Sequence, residues 1–421
     1  MIKRTWGNTV IWTATATLVK MLATLLVIKV IAFYYGAEGV GRAANYMTLL
    51  TVLGVFAGAG IFNGVTKYVA EYENQPQKLA QILSTSFIII TFFSLCLALI
   101  GQFFAEPIAV FIFGDDRYQS VIRILSVLQC GIALGNYFLA VLKGWREAKY
   151  TSLATMFGIL FGLVLFLSAM YCYQYQGVLI GLALIPTVTA LPAYYFLRQK
   201  CGQNLKCFDK SHWRTDYARH FGKFGIMTFT TVVTLPLAYI LLRNRLEMTH
   251  GIEAVGLWQG VSKISDAYLQ FITGAFSVYL LPTFAKLTDK TAIKHEVFTA
   301  LKFAFPIIVM LTIGIYTTRS LIIQWLFSAQ FLPMKELFLW QLIGDIFKVG
   351  CYIFGYLMVA KSALRIYILA ELSQCILLLA FAMYLIPTAG ATGAVQAYMF
   401  TYVLHFMLCM TLFFFYQRET K

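Results

Sequence analysis

Seven ionisable side chains stand inside long apolar runs of this 421-residue chain: Lys20, Lys29, Lys263, Asp266, Asp345, Lys348 and Glu371. A charge at the centre of a membrane-spanning helix costs about 2.5–3.5 kcal/mol, so such groups face protein or water rather than lipid. Their spacing supports that reading. Gln259, Lys263, Asp266 and Gln270 follow steps of four, three and four, and so do Gln341, Asp345, Lys348 and Tyr352. Each set forms one polar stripe on an otherwise apolar helix. Tyr367, Glu371 and Gln374 make a shorter stripe, and Thr13, Thr17, Lys20 and Thr24 another; Lys29 lies half a turn from Lys20. Lysines outnumber acids four to three, and Arg42, Asn45 and Arg243 stand near the ends of spans. A hydrated, mildly cationic cavity of this kind suits an anionic head group such as a diphosphate or a uronic acid. Asp266, Asp345 and Glu371 are candidates for an ion-coupling or gating role, binding a proton or sodium ion. Two alternatives stay open. The pairs Lys263–Asp266 and Asp345–Lys348 would also serve as neutral ties between helices, and Arg42 and Arg243 would also snorkel to the interface.

The elements that carry these residues follow from composition. Hydrophobic residues make up 60% of the chain and charged residues 12%, half the share of a soluble domain. Apolar segments fall at 9–35, 43–69, 79–104, 120–142, 150–171 and 177–197, then at 221–242, 254–284, 297–318, 332–359, 367–386 and 390–415. Twelve spans with short connections use up the length, which predicts an all-α membrane protein. The first run is too long for a signal peptide and reads as a retained span.

Counting Lys and Arg by connection orients it. With the N-terminus in the cytoplasm, 22 of the 33 basic residues fall on that side and seven on the other, so both termini are expected to be cytoplasmic. A basic linker at 201–220 separates an expected N-terminal lobe, 1–200, from a C-terminal lobe, 221–421. Internal echoes support two six-helix lobes. "EGVG" at Glu38–Gly41 returns as "EAVG" at Glu253–Gly256, "KGWREAKY" as "KSALRIY", and the glycine start at Gly177 faces another at Gly390. Repeats of even helix number share an orientation, which predicts a pseudo-two-fold axis along the membrane normal.

Several classes drop out. The net charge of +15 is scattered over short loops, with no basic stripe interleaved with exposed aromatics for nucleic acid. The eight cysteines form no CxxC and no histidine is read at metal-ligand spacing, so no metal or other cofactor is expected. No connection is large enough to carry the acid–base residues of a membrane enzyme, Asp115–Asp116 being the one acidic pair in the short periplasmic connections. A drug exporter would be expected to keep an acidic cavity.

The runs "TVLGVFAGAGIFNGVTKYVAEY", "GLWQGVSKISDAYLQFITGAFSVYLLPT" and "WQLIGDIFKVGCYIFGYLMVAKSALRIYILAELSQ" resemble the lipid III flippase family of enterobacterial common antigen synthesis. That family sits in the multidrug/oligosaccharidyl-lipid/polysaccharide exporter superfamily. The resemblance implies two six-helix lobes in a V and transfer of an undecaprenyl-diphosphate-linked trisaccharide between leaflets of a Gram-negative inner membrane, without ATP. It implies polysaccharide polymerase and chain-length regulator proteins as partners. It transfers no catalytic motif, and of the polar positions it covers only Lys263, Asp266, Asp345, Lys348 and Glu371.

Overall fold

A computed structural model describes residues 2–201, 214–361 and 363–419; most of the basic linker expected at 201–220 lies outside them. The described residues are almost wholly helical: α1 (Ile2–Phe56), α2 (Phe62–Glu71), α3 (Pro76–Phe103), α4 (Ala105–Phe113), α5 (Gln119–Gly144), α6 (Ala148–Val188), α7 (Ala190–Cys201), α8 (Thr215–His250), α9 (Ile252–Lys286), α10 (Lys290–Leu326), α11 (Leu337–Ala360) and α12 (Leu364–Glu419). Helices are what lipid permits, because each must satisfy its own backbone hydrogen bonds.

Three of these helices are hairpins in disguise. The chain leaves helical geometry at Gly36 in α1, Gln174 in α6 and Gly390 in α12, each with positive φ. Seven stretches are long and apolar enough to cross a membrane, and three of them run for 46, 53 and 53 residues, enough for two passes each. With α8 and α9, at 36 and 35 residues, the described residues hold the twelve expected passes. Large apolar side chains stand open on the outside, Phe103 at 82% and Trp325 at 77% exposure among them. Water would not tolerate such a surface, whereas lipid solvates it.

The second pass departs from expectation. A single span was expected over 43–69, but α1 ends at Phe56 and α2 begins at Phe62. Ala59 and Gly60 have φ of 52° and 68°, so an α-helix cannot run through them. The carbonyl of Gly54, just before the break, accepts a hydrogen bond from Asn136 Nδ2 at 2.8 Å. Continuous hydropathy hid this interruption.

The chain forms two compact units. Unit 1 comprises Met1–Thr24 and Asn45–Val233; unit 2 comprises Leu25–Ala44 and Thr234–Lys421. In unit 1, Ala57, Ile61, Val65 and Val69 are buried with Ile82 and Leu83 of α3 and Tyr137 and Val141 of α5. Gly158 and Gly162, four apart on α6, lie against Thr189 and Ile185, where a Cβ would come within 2.7 Å and 2.6 Å of backbone carbon. Glycines four apart let these helical segments approach closely. In unit 2, Leu280, Phe284, Ile293, Ile353, Phe354 and Phe413 form an apolar cluster. The two "E-x-V-G" echoes meet there and pack reciprocally. A Cβ on Gly41 would sit 2.5 Å from the Ile252 carbonyl oxygen, and one on Gly256 would overlap the carbonyl of Ala37.

Candidate functional site

Unit 2 gathers most of the charges singled out by spacing. Asp345 of α11 is fully buried. One of its carboxylate oxygens accepts from Ser265 Oγ at 2.6 Å and from the Tyr268 hydroxyl, both on α9. The other accepts from the Tyr398 hydroxyl of α12 at 2.5 Å. Three hydroxyl donors around one carboxylate satisfy a group that burial would otherwise penalise heavily. One turn along α11, the Lys348 ammonium lies over the rings of Tyr398 and Tyr402, 5.2 Å and 5.1 Å from their centroids. Among the described residues it makes no ion pair; aromatic faces hold it instead. Tyr402 in turn accepts from Gln374 Nε2 at 2.7 Å.

A second cation stands on α8. Arg243 is 7% exposed, and its guanidinium lies 5.7 Å from the Tyr239 ring and 5.8 Å from the buried Trp258 ring of α9. Arg243 is therefore buried within the unit. Lys263 and Asp266 pair with each other at 3.2 Å along α9, with Lys263 largely covered and Asp266 half exposed. They are not the interhelical tie that their spacing also allowed; Asp345 makes that connection, through Ser265 and Tyr268. Glu371, in the first half of α12, is partly buried and hydrogen-bonded with Tyr367, within electrostatic reach of His405.

The remaining candidates make contacts of their own. Arg42, also of unit 2, pairs with Glu38 at 2.7 Å on the exposed side of α1. Lys29 of the same unit is exposed. Lys20 belongs to unit 1, is exposed, and lies within electrostatic reach of Lys143 on α5. Asn45, also of unit 1, is buried and donates to the Ile112 carbonyl at 3.2 Å, fastening α4.

The aromatic and hydroxyl partners were missed from sequence, although a signal existed. Tyr398, Tyr402, His405 and Cys409 follow steps of four, three and four along α12, the same stripe that marked α9 and α11. Without a full charge in it, the stripe passed as ordinary apolar sequence. The same oversight hid a cluster of Cys351, His405 and Cys409, whose ligating atoms all lie within 4.8 Å of one another.

Known proteins resemble this chain over nearly its whole length. The family described as "Polysaccharide biosynthesis protein" matches residues 7–288. Curated proteins named "Lipid III flippase" from Escherichia coli (strain K12) and Shigella flexneri are each 47% identical over 409 residues, 97% of this chain and 98% of theirs. Among solved structures, an inward-facing multidrug resistance MATE family transporter of the MOP superfamily superposes with a TM-score of 0.73 at 14% identity, covering 95% of this chain and 96% of that one. The lipid II flippase MurJ, in an inward closed conformation, gives 0.72 at 14% identity, covering 96% of this chain and 87% of its own. At such identity the last two establish the fold: an all-helical, multi-pass transporter fold of two lobes. From its twelve apolar passes and these matches, the chain belongs to the polysaccharide biosynthesis protein family of multi-pass membrane proteins.

Proposed function

We propose that this chain is a flippase that moves lipid III, an undecaprenyl-diphosphate-linked trisaccharide, from the cytoplasmic to the periplasmic leaflet of the inner membrane, for enterobacterial common antigen assembly. The observation that carries the reading is 47% identity to the lipid III flippases across 97% of the chain. The site supports it chemically. Arg243 and Lys348 are cations held on aromatic faces in a largely apolar unit, where an oxyanion such as a diphosphate is a strong partner. Lys263 and Arg42, each already beside a carboxylate, add positive charge that a substrate anion can compete for; Lys20 and Lys29 act at the exposed faces of α1.

Transport proceeds by alternating access, with the head group in the polar site and the polyprenyl tail in lipid. Asp266, Asp345 and Glu371 provide the ion-coupling groups. One charge crossing 100 mV releases about 2.3 kcal/mol, enough to bias a two-state transporter roughly fifty-fold. Both termini are cytoplasmic, the two halves of the chain act as two six-helix lobes, and polymerase and chain-length regulator proteins take up the product.

Reconstitution tests the reading. Purified chain in vesicles carrying polyprenyl-diphosphate oligosaccharide is expected to expose the sugar on the opposite leaflet, faster with a proton or sodium gradient. Movement of cationic drugs with no movement of the lipid would replace the reading with that of a drug exporter.

A further inference from the structure

Cys351 of α11 and His405 and Cys409 of α12 are 7%, 5% and 3% exposed, and their ligating atoms lie within 4.8 Å of one another. His405 and Cys409 are four residues apart on one helix, so both side chains leave the same face, one turn apart. Cys351 faces them from the neighbouring helix. The His405 Nε2 to Cys409 Sγ distance is 3.5 Å. Zinc bound tetrahedrally, with bonds of about 2.3 Å to sulfur and 2.0 Å to nitrogen, sets its ligands about 3.5 Å apart for nitrogen–sulfur and about 3.8 Å for sulfur–sulfur. The spacing already present on α12 is that of a tetrahedron edge.

We infer that Cys351, His405 and Cys409 form a three-ligand zinc site, its fourth tetrahedral position taken by water, that links α11 to the second half of α12. Two features beyond proximity point to a cation. Among the described residues, His405 Nδ1 is buried without a hydrogen-bond partner. A histidine that ligates through one ring nitrogen ordinarily donates from the other to a carboxylate, and Glu371 lies within electrostatic reach of this ring and of Cys409. Charge also balances. Two thiolates and a neutral imidazole around Zn2+ sum to zero, whereas the same ligands around a monovalent ion leave a net negative charge inside a membrane span. Binding would release the two thiol protons to water as the S–Zn bonds form, with no change of oxidation state.

The site is one turn from Lys348 along α11 and one turn from Tyr402 along α12, so zinc would fix the register of the helices that carry the proposed anion site. It does not depend on which lipid is moved, and its test is independent of transport.

Purified full-length chain, stripped with a chelator and then offered Zn2+ alone, is expected to retain one zinc per chain by elemental analysis after gel filtration. Cobalt(II) in its place should give thiolate-to-metal charge-transfer absorption. The cobalt spectrum is read on the unaltered chain and so is free of any folding defect. Cys409→Ser and His405→Ala should each weaken zinc binding at least tenfold, while Cys172→Ser, at an exposed cysteine, should not. Zinc retention no higher than in the Cys351→Ser/Cys409→Ser double variant, no charge-transfer absorption with cobalt(II), or a Cys351–Cys409 disulfide in the purified protein would each overturn the assignment.

Discussion

The two units use buried polarity in opposite ways. In unit 1 the buried polar side chains mostly bond backbone carbonyls: Gln129 donates to Ser94 at 2.5 Å, Asn136 to Gly54 at 2.8 Å, the Tyr137 hydroxyl to Leu83 at 2.8 Å and Thr187 to Leu128 at 3.1 Å. These are neutral bonds that tie helix to helix. In unit 2 the buried groups include Asp345 and Arg243, and the bonds around Asp345 run from side chain to side chain. Yet the units share a backbone plan. Gln174 and Gly390 both reverse the chain at positive φ, and three residues later Gly177 and Gly393 each press against a carbonyl eight positions upstream, of Ala169 and Leu385. The same scaffold thus carries structural polarity in one unit and a charged site in the other, which places the chemistry in the side chains rather than in the fold.

The strongest challenge to that contrast is Asp345→Ala. Removing the acceptor takes the carboxylate from three hydroxyl donors, and stability should fall by about 3–5 kcal/mol, as for other broken buried charge networks. Asp345→Asn keeps an acceptor oxygen and should lose clearly less. Thermal melts in detergent measure both, and equal melts for Asp345→Ala and wild type would end the case for a network. Lys348→Met comes next. Its effect should fall on transport, at least tenfold or about 1.4 kcal/mol in substrate binding, with folding little changed because the aliphatic stem is kept. In unit 1 the pattern should invert: Gln129→Leu and Asn136→Leu should each cost about 0.5–1.5 kcal/mol of stability while transport per folded molecule stays at the wild-type level. A transport defect without a stability defect in either would erase the distinction between the units.

The smallest effect expected lies outside both cores. Asp289 caps α10, accepting from the Ala292 amide at 3.0 Å and from the Thr291 hydroxyl, and those donors hold its carboxyl below the usual range. A depressed value means the contribution is present above the unfolded pKa of about 3.9 and is lost as pH falls through the folded one. Asp289→Ala should therefore melt slightly below wild type at neutral pH, and the two curves should converge in acid.

Much of this was legible in sequence because lipid imposes two plain rules: long apolar helices, and no unaccompanied charge. The twelve passes and the stripe through Asp345 and Lys348 follow from them. What escaped obeys neither. The break at Ala59–Gly60 sits in apolar sequence, where small residues give no hydropathy signal and only left-handed backbone geometry reveals it. Tyr398 and Tyr402 are compatible with membrane interiors, so nothing marked them as partners until the carboxylate and ammonium they meet were in place. Arg243 was noticed for its charge, but the aromatic pair that holds it comes from two helices.

The reciprocal packing of Gly41 on Ile252 and Gly256 on Ala37 has a consequence for how the protein is made. Residues 25–44 belong to unit 2, yet they leave the ribosome before almost everything they pack against. At about 5–20 residues per second, the stretch around Gly256 follows on the order of 10 to 40 seconds later. During that interval all of unit 1 has been synthesised, while an early helix with a face of small residues waits in the bilayer without its partner. The second unit therefore cannot close from its own C-terminal sequence alone, and its assembly is timed by translation.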